Sequence, residues 1–308
     1  MFAKRALEHW GFSDASIRLV AERENCVYEV TGHGTRHALR RHRVRYRTQA
    51  ELRSELDWMA HLATCGLDLP APVPTRDGHL FCTIDGAVYD LLTWVDGEPV
   101  SSRHRTASVV ELADTYHRTG WQMAALHDLS DAWQLPETFD RPAWNVDGLV
   151  GEAPLWGRFW DNTELSAAEK SALERLRDDG WAVLDNQTPT LDYGLIHADL
   201  VPDNVLVDST SVRFIDFDDS GFGFRLFDLA TTLNKAWRTD HYEALSAALL
   251  DGYGSRREID LSLLPLFQAL RAASYVGWNI TRMGEPGGMS RNRRFIDEAM
   301  AFIAIAKG

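Results

Sequence analysis

His197, Asp199 and Asn204 stand in the stretch LIHADLVPDNVLV (195–207), where apolar runs flank a short polar segment. The spacing is His-x-Asp-x-x-x-x-Asn. Twelve residues after Asn204, behind the apolar run SVRFI, comes Asp216 in IDFDD. Phosphoryl transfer calls for such a set: one Asp accepts the proton of an attacking hydroxyl, while an Asn and a second Asp hold the divalent cations that bridge the phosphates. The transition state is loose, so the protein contributes position and charge, and its groups must sit on a rigid hairpin. NVLV and VRFI read as that hairpin, with TLDYGLI as the strand leading into the first loop. The plain alternative, polar residues capping surface turns, does not account for an Asp directly behind a β run. His197, just past an apolar run, reads as a brace within the loop more than as a proton carrier.

The elements that must position these groups are legible upstream. Residues 16–41 alternate apolar and polar residues near period two, with breaks at ERENC and TGHGT, and read as strands. From Thr48 to Cys65 an apolar face runs through Leu52, Leu56, Met59 and Leu62, and Gly66 stops the helix. HLFCTIDGAVYDLLTWVDGEPV reads as a hairpin turning at Asp85-Gly86. The order is β, β, β, α, β, β, a small antiparallel sheet carrying one helix. After Gly97 the character changes to long helical patterns over 106–129 and 166–186 and again from about 225 to 307. The expected fold class is therefore α+β. A β-rich lobe (1–97) joins a larger, mostly helical lobe (98–308) by one crossing.

Composition narrows the classes. With 308 residues the chain is long enough for two lobes, each with a core. No apolar run approaches the ~20 residues of a transmembrane helix, and MFAKRALEHWGFSD reads as a short amphipathic helix rather than a leader. Cys26, Cys65 and Cys82 are odd in number and never spaced as CxxC, so a disulfide framework is not expected and a cytoplasmic location is. The net charge of −13 argues against a nucleic-acid partner. It suits a cationic small molecule, although acidic surfaces are mostly just solvated.

LIHADLVPDNVLV together with IDFDDSGFGFRLFDLAT resembles the aminoglycoside phosphotransferase superfamily of kinase-like enzymes, which includes choline kinases, bacterial homoserine kinases and bacterial stress-response Ser/Thr kinases. The likeness covers nearly the whole chain and is strongest over 195–233. It implies a protein-kinase-like bilobal fold that uses ATP and Mg²⁺. Asp199 would be the base, Asn204 and Asp216 the Mg²⁺ ligands, and Asp228 the brace of the catalytic loop from the start of a helix. Asp218 would be a further metal or substrate contact. Ala198 stands where Gly is commoner in the superfamily.

Such a site needs a cation on the third strand, fixed by a helical carboxylate. Arg40 in HALRRHR and Glu55 in RSELDWM fill these roles, with Arg41 as the fallback; the alternative is that Arg40 is one of seven arginines between 36 and 53 that only solvate the surface. The phosphate-covering turn, AERENCVYEV, has no glycine, which leaves Asn25 and neighbouring amides as candidates. The hinge LLTWVDGE would read adenine through backbone near Thr93, Trp94 and Val95.

The segment 130–160 is long for a connection. Trp144, Trp156 and Trp160, with Asp140, Asp147 and Glu152, would form a lid over a cationic acceptor or else an aromatic plug on the helical core. Trp278, near Tyr275 and Asn279, carries the same two readings. The expected activity is transfer of the γ-phosphate to a hydroxyl of homoserine, an amino alcohol or an amino-bearing antibiotic, by a monomer or homodimer. The alternatives are a stress-response-type Ser/Thr protein kinase and a nucleotide-binding pseudokinase. Only about a dozen residues separate Asp216 from the next helix, too few for an activation segment that holds a peptide, and a pure binder has no need of a base.

Overall fold

The computed structural model describes residues 2–22, 25–44 and 46–307. In chain order it begins with α1 (Phe2–Glu8), β1 (Ser16–Glu22), β2 (Cys26–Gly32), β3 (Thr35–Arg41), α2 (Gln49–Thr64), β4 (Phe81–Ile84) and β5 (Ala87–Thr93). β6 (Glu98–Pro99), α3 (Val100–Arg103), α4 (Val109–Asp131), β7 (Ala143–Trp144), α5 (Val146–Val150) and α6 (Ala167–Gln187) follow. The rest is β8 (Tyr193–Ile196), β9 (Val205–Val207), β10 (Val212–Phe214), β11 (Gly221–Phe224), α7 (Arg225–Ala236), α8 (Tyr242–Gly254), α9 (Leu264–Asn279) and α10 (Gly288–Lys307). Among the described residues no helix is long and apolar enough to cross a membrane.

The chain forms two units. The first comprises Met1–Glu98, Ala132–Arg141 and Leu206–Asp218. Its five-stranded sheet has the order β1-β2-β3-β5-β4, antiparallel throughout. The β4–β5 turn has Asp85 at φ 50° and Gly86 at φ 81°, the doubly left-handed backbone that matches strand twist and favours Asp-Gly. Thr48 caps α2 reciprocally with Glu51, Thr48 Oγ1 accepting from the Glu51 amide at 3.0 Å and Glu51 Oε2 from the Thr48 amide at 2.7 Å. The face at i, i+3, i+4 then buries Leu52, Leu56, Met59 and Leu62. α1 contributes Ala6 and Leu7 to a core with Val30, Leu39, Tyr89 and Leu91. Residues 132–141, assigned from sequence to the second lobe, pack in this unit: the Asp140 amide donates to Ser54 Oγ at 2.8 Å and Trp133 stacks on His61.

The second unit comprises Pro99–Asp131, Pro142–Val205 and Asp219–Gly308. Its small sheet has the order β7-β11-β8, with Gly221 opposite Ile196 and Phe222 opposite Leu195. β7 and β11 are absent from the sequence reading because the run GFGF signals a turn. Here the glycines serve close approach: a Cβ on Gly221 would lie 2.1 Å from the Pro142 carbonyl oxygen, and one on Gly223 would lie 2.3 Å from the Ile196 side chain. α4 and α8 cross backbone to backbone in the same manner. A Cβ on Gly120 would sit 2.1 Å from the Leu249 carbonyl oxygen, and one on Gly252 would sit 1.9 Å from that of His117.

Neither backbone at this crossing can yield without the helices separating. Gly252→Ala is therefore expected to destabilise the protein by about 2–3 kcal/mol, measured as a lower denaturant midpoint. An unchanged midpoint would mean the helices part freely.

Candidate active site

Within the second unit, β8 delivers the chain into His197-Ala198-Asp199, and the first turn of α7 presents Asp228 to it. Oδ2 of Asp228 accepts the His197 amide at 2.9 Å and Oδ1 accepts the Ala198 amide at 2.7 Å. His127 on α4 adds Nε2 to Asp228 Oδ2 at 3.1 Å, while its Nδ1 lies 2.8 Å from the Tyr253 hydroxyl on α8. An ionised Asp228 can only accept, so Nε2 carries the proton and Nδ1 accepts from Tyr253. Burial favours the neutral Asp228, but hydrogen bonds from His127 and the loop amides outweigh it and hold the carboxyl below its usual range. Burial, reinforced by the Arg225 cation, pushes His127 down to about 4. Of the two amides on Asp228, that of Ala198 belongs to a residue at φ 64°, the left-handed region where a Cβ is strained. His197 is fully buried, and its Nδ1 accepts the Asp199 amide at 3.3 Å, a brace from within.

Asp199 is held from two sides. Asn204 Nδ2 donates to the Asp199 carbonyl oxygen at 2.9 Å and to Oδ2 at 3.1 Å. Arg271 Nη2, from α9, donates to Oδ1 at 2.6 Å. The Asp199 side chain keeps 22% exposure. Burial raises its carboxyl to about 7, against the pull of Arg271 and Lys235 and with the help of the neighbouring Asp219 charge. Asn204 directly precedes β9. Because its amide nitrogen is committed to Asp199, its Oδ1 is the oxygen left for a hard cation, a donor type that suits Mg²⁺.

Asp216 lies in the first unit, two residues past β10, exposed and at φ 67°. Its carboxylate is an oxygen donor of the type that hard cations take. Asp218 is buried, and its backbone oxygen accepts from Arg47 Nε at 3.0 Å and Arg141 Nη2 at 2.7 Å.

The same unit brings Arg40 and Glu55 together. Arg40 Nη1 donates to Glu55 Oε1 at 2.9 Å, while Nε and Nη2 hold Asp90 at 2.9 and 2.8 Å, all nearly or fully buried. Burial acts against a charged Asp90, but Arg40 and His42 prevail and lower it to about 2. Glu55 is lowered too, by Arg40 and Arg141 against its burial. Arg41, the fallback, instead turns its Nη2 to Cys26 Sγ at 2.9 Å. Asn25 accepts the Arg43 amide at 3.1 Å, and residues 23 and 24 of the expected phosphate turn lie outside the described residues. At the hinge, the Thr93 amide donates to the Ala71 carbonyl at 2.8 Å and the Trp94 amide to that of Arg36 at 3.2 Å. Both N–H groups are thus used within the protein, to the Ala71 and Arg36 carbonyls.

Of the two readings of 130–160, Trp144 and Trp160 follow the aromatic plug. Trp144 is 1% exposed, stacks on Phe227, and donates Nε1 to the Asp219 carbonyl at 2.9 Å, so it is core packing. Trp160 is buried against Phe159. Asp140 belongs to the first unit and Glu152 pairs with Arg177. Trp156 and Trp278 are half-buried, with ring centroids 6.3 Å apart. The side chain that contacts Asp199 from α9 is a cation, and Arg271 is the residue that sequence reasoning missed. Its signal was available: it is the only charged residue between Asp260 and Arg282.

The phosphotransferase enzyme family matches residues 16–265. A homoserine kinase of Agrobacterium fabrum is 31% identical over 240 residues, spanning 74% of this chain and 67% of that one. The solved structure of a microcompartment-associated aminopropanol kinase superposes with a TM-score of 0.82 at 31% identity, covering 99% of this chain and 95% of that one. An amicoumacin kinase in complex with AMP-PNP, Ca²⁺ and amicoumacin shares the fold, with a TM-score of 0.73, 20% identity, and coverage of 92% and 88%.

Asp228→Asn turns an N–H donor toward one of the loop amides. It is expected to destabilise the chain by about 3 kcal/mol in denaturant unfolding, and wild-type stability would refute the clamp. His127, neutral when folded and free to charge when unfolded, gives stability that is complete above pH 6.5 and is lost as pH falls toward 4. The stability advantage of wild type over His127→Gln should therefore shrink across that window, and a difference flat with pH would refute the buried neutral imidazole.

Proposed function

The chain belongs to the phosphotransferase enzyme family, and on that premise we propose that it transfers the γ-phosphate of ATP, in the presence of Mg²⁺, to a hydroxyl group of a small molecule in the cytoplasm. The observation that carries the reading is the clamped loop: a carboxylate, Asp199, fixed at the end of a rigid strand with an amide oxygen five residues on. Asp199 accepts the proton as the acceptor oxygen bonds to phosphorus, the bond to ADP breaks, and the proton leaves the site after the phosphorylated product. The products are the phosphate ester, ADP and one proton. A carboxyl raised to about 7 is a stronger proton acceptor than an ordinary aspartate, and orientation by Asn204 removes the need to search for geometry.

Asn204 and Asp216 are the proposed Mg²⁺ ligands; the cation would neutralise phosphate charge during transfer. Arg40 keeps one N–H on each terminal nitrogen beyond its bonds to Glu55 and Asp90, enough to meet α- and β-phosphate oxygens. Val95 would hold adenine through its amide. Only β11 and a short turn separate Asp216 from α7, and this supports a small acceptor over a peptide.

An ADP-release screen over amino alcohols, hydroxy amino acids and amino-bearing antibiotics tests the proposal. One acceptor class should stimulate turnover, and Asp199→Ala should lower that turnover by about 10³-fold or more while nucleotide binding persists. Asp216→Ala should weaken Mg²⁺-nucleotide binding as well. Undiminished turnover in Asp199→Ala would exclude it as the base.

A further inference from the structure

Arg271 is the only charged residue of α9 and is fully buried. A guanidinium has five N–H donors. The two on Nη2 match its two acceptors, Asp199 Oδ1 at 2.6 Å and the Tyr275 hydroxyl at 2.8 Å. The three on Nε and Nη1 have no acceptor among the described residues. The Trp156 and Tyr275 ring centroids each lie 4.3 Å from its central carbon and 5.5 Å from one another. Lys235 Nζ also lies over the Tyr275 ring, 3.9 Å from its centroid, and makes no ion pair among the described residues, the nearby Glu298 being taken by Arg238. Two cations therefore stand beside Asp199, with Asp219 and Glu298 as the further carboxylates of this corner.

Buried donors without acceptors are rare in folded proteins. Those of Arg271 share a guanidinium with the contact to the base, so an anion bound to them would lie next to the hydroxyl that Asp199 activates. An acceptor whose only charge is an amine has no oxygen anion for those N–H groups and sets a donor-only cation against the guanidinium.

We infer that the acceptor is a hydroxy acid, hydroxy amino acids included, with its hydroxyl on Asp199 and its carboxylate on the free N–H groups of Arg271, beside Lys235. This rests on the reading of Asp199 as the phosphoryl-transfer base and narrows it to a substrate class. The phosphoryl group in transit is the other anion that could meet Arg271, and the two sources separate experimentally.

The test compares acceptors that differ only by a carboxylate: L-homoserine with 3-aminopropan-1-ol, and L-threonine with 1-aminopropan-2-ol. In wild type, kcat/KM for the better carboxylate compound should exceed that of its partner by at least about a hundredfold, since a site built to bond a group strongly rejects the analogue lacking it. In Arg271→Met the ratio should fall to near unity, with Arg271→Lys between. The ratio is insensitive to any general loss of base positioning that both acceptors share. Equal use of both members by wild type, or a fall in Arg271→Met that leaves the ratio intact, overturns the inference and assigns Arg271 to the phosphoryl group or to Asp199 alone. If none of the four is turned over but another class in the ADP-release screen is, the inference fails and the proposed function stands; if no class is turned over, the proposed function fails. Calorimetric titration then decides the subsite by itself: L-homoserine or L-threonine binding wild type but not Arg271→Met supports it, and binding to neither overturns it.

Discussion

Two backbone amides on one buried carboxylate hold this active site together. Asp228 takes the amides of His197 and Ala198 at the moment the chain leaves β8. Everything downstream inherits its position from that grip: the direction of Asp199, the reach of Asn204 back to it, and the entry into β9. A buried anion is unfavourable unless compensated, and here the compensation comes from three helices, with Asp228 on α7, His127 on α4 and Tyr253 on α8. The glycine crossing of α4 and α8 sets the spacing at which those groups can meet. Helix packing far from any substrate thus fixes the geometry of the base.

The nucleotide-side cation has its own enclosure in the first unit. Arg40 is bound by a helical and a strand carboxylate at once, and Asp90 on β5 ties the third strand to the strand that leads into the hinge. A single partner would leave a long side chain free to rotate; two fix its plane. Arg141 then meets Glu55 from residues 132–141, which explains why that segment packs with the sheet rather than with the helices.

What could be read from sequence follows the range of the forces involved. The α2 boundaries, the Asp85-Gly86 turn and the Asp-x-x-x-x-Asn loop are local: a cap, a pair of left-handed residues and a fixed spacing announce themselves within a few positions. Asp228 was legible as a brace only through family likeness. Asp90 and Arg271 act across 50 and 72 residues, and no local pattern marks them except a lone charge in an apolar run. Trp144 was left between two readings because composition cannot tell an indole that faces solute from one that fills a core. β11 was missed because its glycines answer to neighbours distant in sequence, Pro142 and Ile196, rather than to a turn.

Ala198 has a bearing on how this chain can drift. Its backbone sits at φ 64° with the methyl fully enclosed. Any residue larger than alanine would meet both a strained backbone and walls on every side, and glycine would relieve the first and ignore the second. The position therefore admits two residues in practice, and the chain occupies the strained one. A catalogue of functional variants would show a near-binary alphabet here beside an otherwise permissive loop, a narrowness that reflects backbone geometry rather than any chemistry performed by the side chain.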